Sequence, residues 1–422
     1  MTSSPGTAVV MGQGYVGLPV AMRAVDAGFD VVGFDTDQRK IASLTAGTSY
    51  VEDISDARLR AALDSDRFRP SSDVGDLAGF DFCVISVPTP LHEGNPMLEY
   101  MESAAAMVAP HLRAGATVIL ESTTYPGTTE ELVAPILEAG SGLRAGADFH
   151  LGYSPERIDP GNVTYTFENT PKVVSGVDAA SLQRVQWFFD QLVDKTVAVR
   201  GTREAELTKL LENTFRHVNI ALVNELAIYA HGLGIDVWDV IEAANTKPFG
   251  FMKFTPGPGV GGHCLPIDPS YLSWQVRQSL GQSFRFVELA NDVNNHMPEY
   301  VIQRITSGLN QREQSVNGRR VLLAGMAYKA NTGDARETPV RQIAEELLTL
   351  GATVAIADPH VPADQLPDGA AAVQLTADEI AAADAIAVLV DHANFDFSLL
   401  DGADAYVLDC RNVVDLEGVD RL

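Results

Sequence analysis

The order strand, glycine turn, helix, strand occurs twice in this 422-residue chain, and no other feature constrains the fold as much. In the first copy Ala8-Val-Val-Met11 is an apolar run of strand length. Gly12-Gln-Gly-Tyr-Val-Gly17 follows, and residues 18–27 have helical apolar spacing. Gly28 is a suitable helix stop before a second strand, Phe29-Asp-Val-Val-Gly-Phe34. The second copy runs from Arg320-Val-Leu-Leu-Ala-Gly325 through a helix at 340–350 and Gly351 to Thr353-Val-Ala-Ile-Ala-Asp358.

Further apolar runs at 82–87, 117–120 and 173–175 alternate with alanine-rich helical stretches, and runs at 385–390 and 405–408 extend the second copy. Alternation of this kind implies an α/β fold with parallel sheets covered on both faces. We therefore expect two Rossmann-like, doubly wound domains. Between them, residues 203–231 read as one helix with no Pro or Gly inside it, and 283–309 read as a second. A helix of that length spans about 40 Å, enough to connect two domains. The expected division is 1–200 for the first Rossmann-like domain, 201–310 for a central all-helical domain, and 318–422 for the second, with the polar stretch 311–317 as a linker.

Gly12-x-Gly14-x-x-Gly17 is a weak signal alone. Here it follows a strand, opens a helix, and has Asp35 at the end of the next strand, the context of a dinucleotide fingerprint. The glycines let a pyrophosphate reach the helix N-terminus, and a carboxylate at Asp35 accepts hydrogen bonds from the adenosine ribose. It also repels a 2′-phosphate, so NAD is favoured over NADP. Tyr15, Val16 and Lys40 join the expected cofactor set. So do Pro88 and Thr89, where Ser86-Val-Pro-Thr-Pro90 closes a later strand.

The 56 acidic residues against 30 basic ones give a net charge of −26, which disfavours nucleic acid and anionic membranes as partners. A polyanionic ligand would need locally placed lysines, arginines and helix N-termini. No long apolar segment or basic–apolar leader is present, and three cysteines do not suggest a disulfide framework. Cys83 and Cys410 fall in apolar runs and read as small core residues. A reducing cytoplasm is expected, where a third thiol stays free.

That thiol is Cys264, in Gly257-Pro-Gly-Val-Gly-Gly-His-Cys264-Leu-Pro-Ile-Asp268-Pro. Glycines such as Gly261 allow close approach of backbone to ligand, the thiol is a candidate nucleophile, and Asp268 could aim a proton or a water. His263 could tune the thiol, although a loop histidine more often only hydrogen-bonds locally. No His-x-x-x-His pair or other metal-binding spacing occurs, so no metal is expected.

Seven ordered segments now coincide: Gly12–Gly17, Ser86-Val-Pro-Thr-Pro90, Glu121-Ser-Thr123, Tyr153-Ser-Pro-Glu156-Arg157, Glu206-Leu-Thr-Lys209-Leu-Leu-Glu-Asn213, the Cys264 loop, and Gly325-Met-Ala-Tyr-Lys329 with Asp334-x-Arg336. Together they resemble the UDP-glucose/GDP-mannose dehydrogenase family over nearly the whole chain. The resemblance implies an N-terminal NAD domain, a central dimer contact making a homodimer, and a C-terminal nucleotide-sugar domain. The implied reaction oxidises the C6 alcohol of a UDP-sugar to a carboxylate with two NAD and one water. Cys264 would hold the aldehyde as a thiohemiacetal and then a thioester. Lys209 and Asn213, four apart on one helix face, could donate to the oxyanion. By resemblance, Asp268 orients the hydrolytic water or assists proton transfer, Glu156 and Thr123 match acid–base and water-holding positions, and Thr123 also joins the cofactor set. Arg157, Lys329 and Arg411 match contacts to the sugar nucleotide, and Arg336 matches a contact to the NAD pyrophosphate.

Gly-Gly-His-Cys and Tyr-Ser-Pro-Glu-Arg look most like members acting on UDP-N-acetylglucosamine or UDP-N-acetylmannosamine. UDP-glucose is the alternative. A two-electron hydroxyacid dehydrogenase would need neither the thiol nor residues 318–422, and a non-catalytic nucleotide-sugar sensor would not need the acid–base set.

Overall fold

The computed structural model describes residues 5–51, 53–92, 95–158, 162, 164–262, 265 and 267–422. It comprises two compact units, Met1–Glu212 and Asn213–Leu422, whose boundary falls inside the 31-residue helix Thr202–Gly232.

The first unit is built on a six-stranded parallel sheet in the order Phe68–Ser71, Asp30–Phe34, Thr7–Met11, Phe82–Ile85, Thr117–Leu120, His150–Tyr153. Val9 lies opposite Val32 on one side and Cys83 on the other. Because side chains alternate along a strand, Ala8 and Val10 enter one core with Leu18, Met22 and Phe188. Val9 and Met11 enter the other, with Met101, Leu137 and Phe149. Both faces are covered, so the strands read as continuous apolar runs. The strand expected near 173–175 lies elsewhere: Lys172–Val174 pairs with Thr196–Ala198 in a separate two-stranded ladder. Its exit runs beside the sheet edge, where the Ser175 amide donates to the Tyr153 carbonyl at 3.1 Å. A side chain at Gly152 would strike the Ser175 carbonyl at 2.2 Å, so glycine permits that approach.

The second unit repeats the topology, in the order Ala371–Val373, Thr353–Ala357, Arg320–Ala324, Ala385–Val388, Tyr406–Asp409, Asp420–Arg421. In each sheet the strand order reverses between the first and fourth strands, the place where open α/β sheets bind ligands. The helix Arg285–Gln311 packs on this sheet. Met297, Val301 and Ile305 join Leu323 and Leu408 in one core, and Gly308 seats the Tyr406 ring where a Cβ would come within 2.3 Å. Residues after Gln311 turn back at once, with the Gln314 amide on the Leu309 carbonyl. The α/β class with two Rossmann-like sheets and a helical region is as the sequence implied. Among the described residues no helix is long and apolar enough to cross a membrane.

Candidate active site

The dinucleotide turn is shaped by close approaches. Gly12 has φ +89°, and a Cβ there would meet the Ser86 carbonyl at 2.5 Å; at Gly17 it would meet the Gly12 carbonyl at 1.8 Å. Gly14 differs, because a Cβ there meets no protein atom within 4 Å. The protein itself does not require glycine at position 14, and the open space there is of the kind that lets a pyrophosphate approach the backbone. Val16 is the cap of the helix Gly17–Asp26 and accepts no side-chain bond there, and Tyr15 is exposed on the turn.

Asp35 ends the second strand. Its carboxylate accepts from the Gln13 amide at 2.9 Å, the Asp37 amide at 2.9 Å and Lys40 Nζ at 3.1 Å. The side chain is thereby locked to the glycine turn, and Tyr50 Oη steadies the turn by donating to the Gln13 carbonyl at 2.5 Å. Ser86 Oγ donates to the Met11 carbonyl at 2.9 Å, joining the next strand to the same turn, with Pro88 exposed and Thr89 buried just beyond. These residues fit NAD.

Glu156 follows the strand His150–Tyr153 and is buried. Its carboxylate accepts from its neighbours' amides, Arg157 and Ile158, both at 2.7 Å, and from Lys172 Nζ at 2.5 Å. Lys172 also pairs with the fully buried Glu121. Burial alone would raise Glu156, but the Lys172 charge and hydrogen bond, with Glu121 and the Ile158 amide, hold it below the usual range. Burial pushes Glu121 up to about 8, and the Glu156 charge adds to that rise while Lys172 opposes it. Lys209 is buried, and its ammonium donates to the Glu156 carbonyl at 2.6 Å, leaving two further N–H donors. Arg157 is held by Glu212 at 2.6 Å. Thr123 is half-buried, while the next hydroxyl, Thr124, is consumed by Thr128 at 2.6 Å.

In the second unit Asp268 opens the helix Asp268–Leu280 and is buried. Asn213 Nδ2 donates to its carboxylate at 2.5 Å, and Arg216 donates to Asn213 Oδ1 at 2.9 Å, so the amide orientation is fixed from both sides. Cys264 and His263 lie outside the described residues. The loop leading to them is anchored: the Gly257 amide donates to Asn224 Oδ1 at 3.0 Å, and Asn224 Nδ2 donates to Asn294 Oδ1 at 2.9 Å. His217 completes this buried chain between helices, with Nε2 2.7 Å from Asn291 Oδ1. Gly261 packs on Tyr328, Glu337 and Pro339, and the Arg411 guanidinium stands beside Gly257 and pairs with Asp391 at 3.0 Å. Lys329 is half-buried. Arg336 makes a two-bond pair with Asp334, at 2.9 and 2.6 Å.

The second sheet has its own carboxylate at the strand end, Asp358, but its oxygens are taken. They accept from the Met326, Ala327, His360 and Val361 amides at 2.7–3.0 Å and from His392 Nε2 at 2.9 Å. His392 Nδ1 accepts from the Asn331 amide at 3.0 Å, which leaves the ring proton on Nε2. With the ribose-binding position used internally, this sheet is not a second copy of the NAD site.

Comparison with known proteins agrees with that difference. The chain matches the NAD binding domain of the UDP-glucose/GDP-mannose dehydrogenase family at residues 7–193, its central domain at 203–296 and its UDP binding domain at 322–416. The chain belongs to this family. It is an NAD-dependent UDP-sugar dehydrogenase, an oxidoreductase. It is 35% identical over 387 residues to the UDP-N-acetyl-D-mannosamine dehydrogenase of Pyrococcus horikoshii, covering 92% of this chain and 89% of that protein. It is 37% identical over 388 residues to the UDP-N-acetyl-D-glucosamine 6-dehydrogenase of Pseudomonas aeruginosa, covering 92% and 90%. The solved UDP-D-ManNAc dehydrogenase from Pyrococcus horikoshii superposes with TM-score 0.89 at 32% identity over 98% of each chain. A UDP-glucose dehydrogenase from Pyrobaculum islandicum gives 0.88 at 28% identity, over 99% of this chain and 98% of that one.

Sequence reasoning missed Lys172, Glu121 as its partner, and the His217–Asn294–Asn224 chain. Lysine in the apolar run Lys172-Val-Val174 was the signal available: a charge entering a strand is rarely buried unless paired.

Proposed function

We propose that this dehydrogenase oxidises the C6 hydroxyl of UDP-N-acetylglucosamine or UDP-N-acetylmannosamine to the uronic acid, through a thioester on Cys264. The Asn213–Asp268 pair carries this reading. A buried carboxylate, aimed by an amide and four residues beyond the thiol, is what a thioester needs for hydrolysis and what a two-electron dehydrogenase does not need. The motif preference and the acetylated-sugar relatives support the N-acetylhexosamine, and UDP-glucose is the second reading.

Bound NAD would supply the hydride acceptor for each oxidation. Gly12, Gly14, Tyr15, Val16, Gly17, Asp35, Lys40, Pro88, Thr89, Thr123 and Arg336 are proposed to hold it. Glu156 takes the alcohol proton, Lys209 and Asn213 donate to the developing oxyanion, Thr123 and Asp268 hold the water, and Arg157, Gly261, Lys329 and Arg411 bind the nucleotide-sugar. Losing one oxyanion donor typically costs about 3–4 kcal/mol of transition-state stabilisation. The division 1–200, 201–310 and 318–422 is retained as a proposal, in keeping with the three family segments. A homodimer is proposed because Phe215, Leu222, Leu226, Tyr229 and Leu233 are all exposed along one helix and its end. A cytoplasmic setting suits a free catalytic thiol and two unpaired buried cysteines.

The test is NADH release with UDP-GlcNAc, UDP-ManNAc, UDP-GalNAc, UDP-glucose and GDP-mannose. Preference for GlcNAc or ManNAc is expected, and preference for UDP-glucose by tenfold or more in kcat/KM would replace the first reading with the second.

A further inference from the structure

Three strand ends of the first sheet and its neighbour bring Glu121, Glu156 and Lys172 together below the surface. The Lys172 side chain is 3% exposed, that of Glu121 0% and that of Glu156 9%. The ammonium also lies 5.1 Å from the centre of the Phe167 ring and 5.2 Å from that of Phe189. Two buried carboxylates around one ammonium leave a surplus negative charge if both are ionised, and burying an unbalanced charge is expensive. Glu156 Oε1 is occupied by two amides and Oε2 by Lys172. Glu121 uses only Oε1, and its Oε2 is buried with no donor. An oxygen without a donor, beside one fully supplied with donors, is where a proton belongs.

We propose that Lys172 is a positioning residue that keeps Glu156 ionised and aimed as the proton acceptor, while Glu121 carries the proton that leaves the buried trio neutral. The inference rests on the acid–base role given to Glu156 above. In the first oxidation the C6–H hydride passes to NAD, the C6 O–H bond breaks, and its proton goes to Glu156, which must therefore enter the step as a carboxylate. The charged groups facing the trio are few. Lys209 binds the Glu156 carbonyl rather than its carboxylate, and Arg157 is engaged by Glu212 and the Pro171 carbonyl.

Lys172→Met removes the cation that balances the Glu156 carboxylate, so a second proton enters the buried pair and Glu156 is protonated at neutral pH. The acid limb of the kcat–pH profile should move up by about one unit or more, with at least a tenfold loss of kcat at pH 7. Lys172→Arg should restore most of the profile. Glu121→Gln should remove the alkaline limb near pH 8, because an ionised Glu121 draws the ammonium away from Glu156 and a glutamine does not. NAD binding by both variants shows that the first unit is folded. Profiles that keep the wild-type limbs in Lys172→Met and Glu121→Gln overturn the proposal. Glu156→Gln separates the two layers: full activity there removes the acid–base reading itself. Loss of activity there with unmoved limbs in the other variants sinks only the role of Lys172 and Glu121.

Discussion

Gly14 and Gly17 make opposite demands on the chain, and alanine at each separates fold from ligand. At Gly17 the new methyl would stand 1.8 Å from the Gly12 carbonyl and 2.5 Å from Ser86 Oγ. Ordinary contact begins near 3.4 Å, so the helix start must retreat by roughly 1.6 Å. Overpacking of that kind costs about 1–3 kcal/mol or more, a fall in Tm of several degrees for a unit this size. At Gly14 the methyl meets no protein atom, and the residue is outside the left-handed region. Gly14→Ala should therefore leave Tm within about 3 °C, or raise it slightly by narrowing the unfolded ensemble. The same methyl stands where the pyrophosphate is proposed to lie, and NAD affinity should drop at least tenfold, about 1.4 kcal/mol. Differential scanning fluorimetry read beside NAD titration gives both quantities. Wild-type NAD affinity in Gly14→Ala would refute the cradle, whatever Gly17→Ala does.

Further outcomes follow from other contacts. Asp35→Asn removes the charge that repels a 2′-phosphate, so the ratio of kcat/KM for NAD over NADP should fall by about tenfold or more, measured under steady-state conditions with each cofactor. The Glu121 carboxyl is raised from 4.5 to about 8 by burial, so its contribution to stability is complete below about 4.5 and is lost as pH rises through 8. Tm should fall between about pH 5 and 8, and less steeply in Glu121→Gln. Asn224→Leu strands the Gly257 amide and the Asn294 carboxamide oxygen, a cost of about 1–3 kcal/mol, and should slow alkylation of Cys264 by iodoacetamide if the loop root sets the thiol. Leu222→Glu with Leu226→Glu should shift the chain toward monomer in light scattering.

The glycine turn and Asp35 were legible because their signal is local: strand, turn, helix and strand are contiguous, and each residue type has a geometric reason. The second Rossmann-like unit was legible for the same reason. That Asp358 is spent on amides and His392 was not, since the five donors come from three separated segments. Lys172 escaped notice because its partners lie 51 and 16 residues away and meet only where the ends of strands from two different ladders come together. The adjoining run 173–175 reads as one more strand of the sheet, whereas the ladder formed by Lys172–Val174 is with Thr196–Ala198, a pairing that apolar patterning does not specify. Asp268 closes a glycine- and proline-rich run that shows no helical spacing, yet it opens a helix, and proline at the first turn is compatible with that start. Asn213 and Lys209 were placed on one helix by spacing alone, and what each touches required the coordinates.

Counting NADH against UDP-sugar consumed, in the native enzyme and in Cys264→Ser, tests the central chemistry most directly. Two NADH per uronic acid, with net oxidation nearly abolished in the serine variant, is the predicted result. One NADH per sugar with an aldehyde released, or normal turnover without the sulfur, would contradict it.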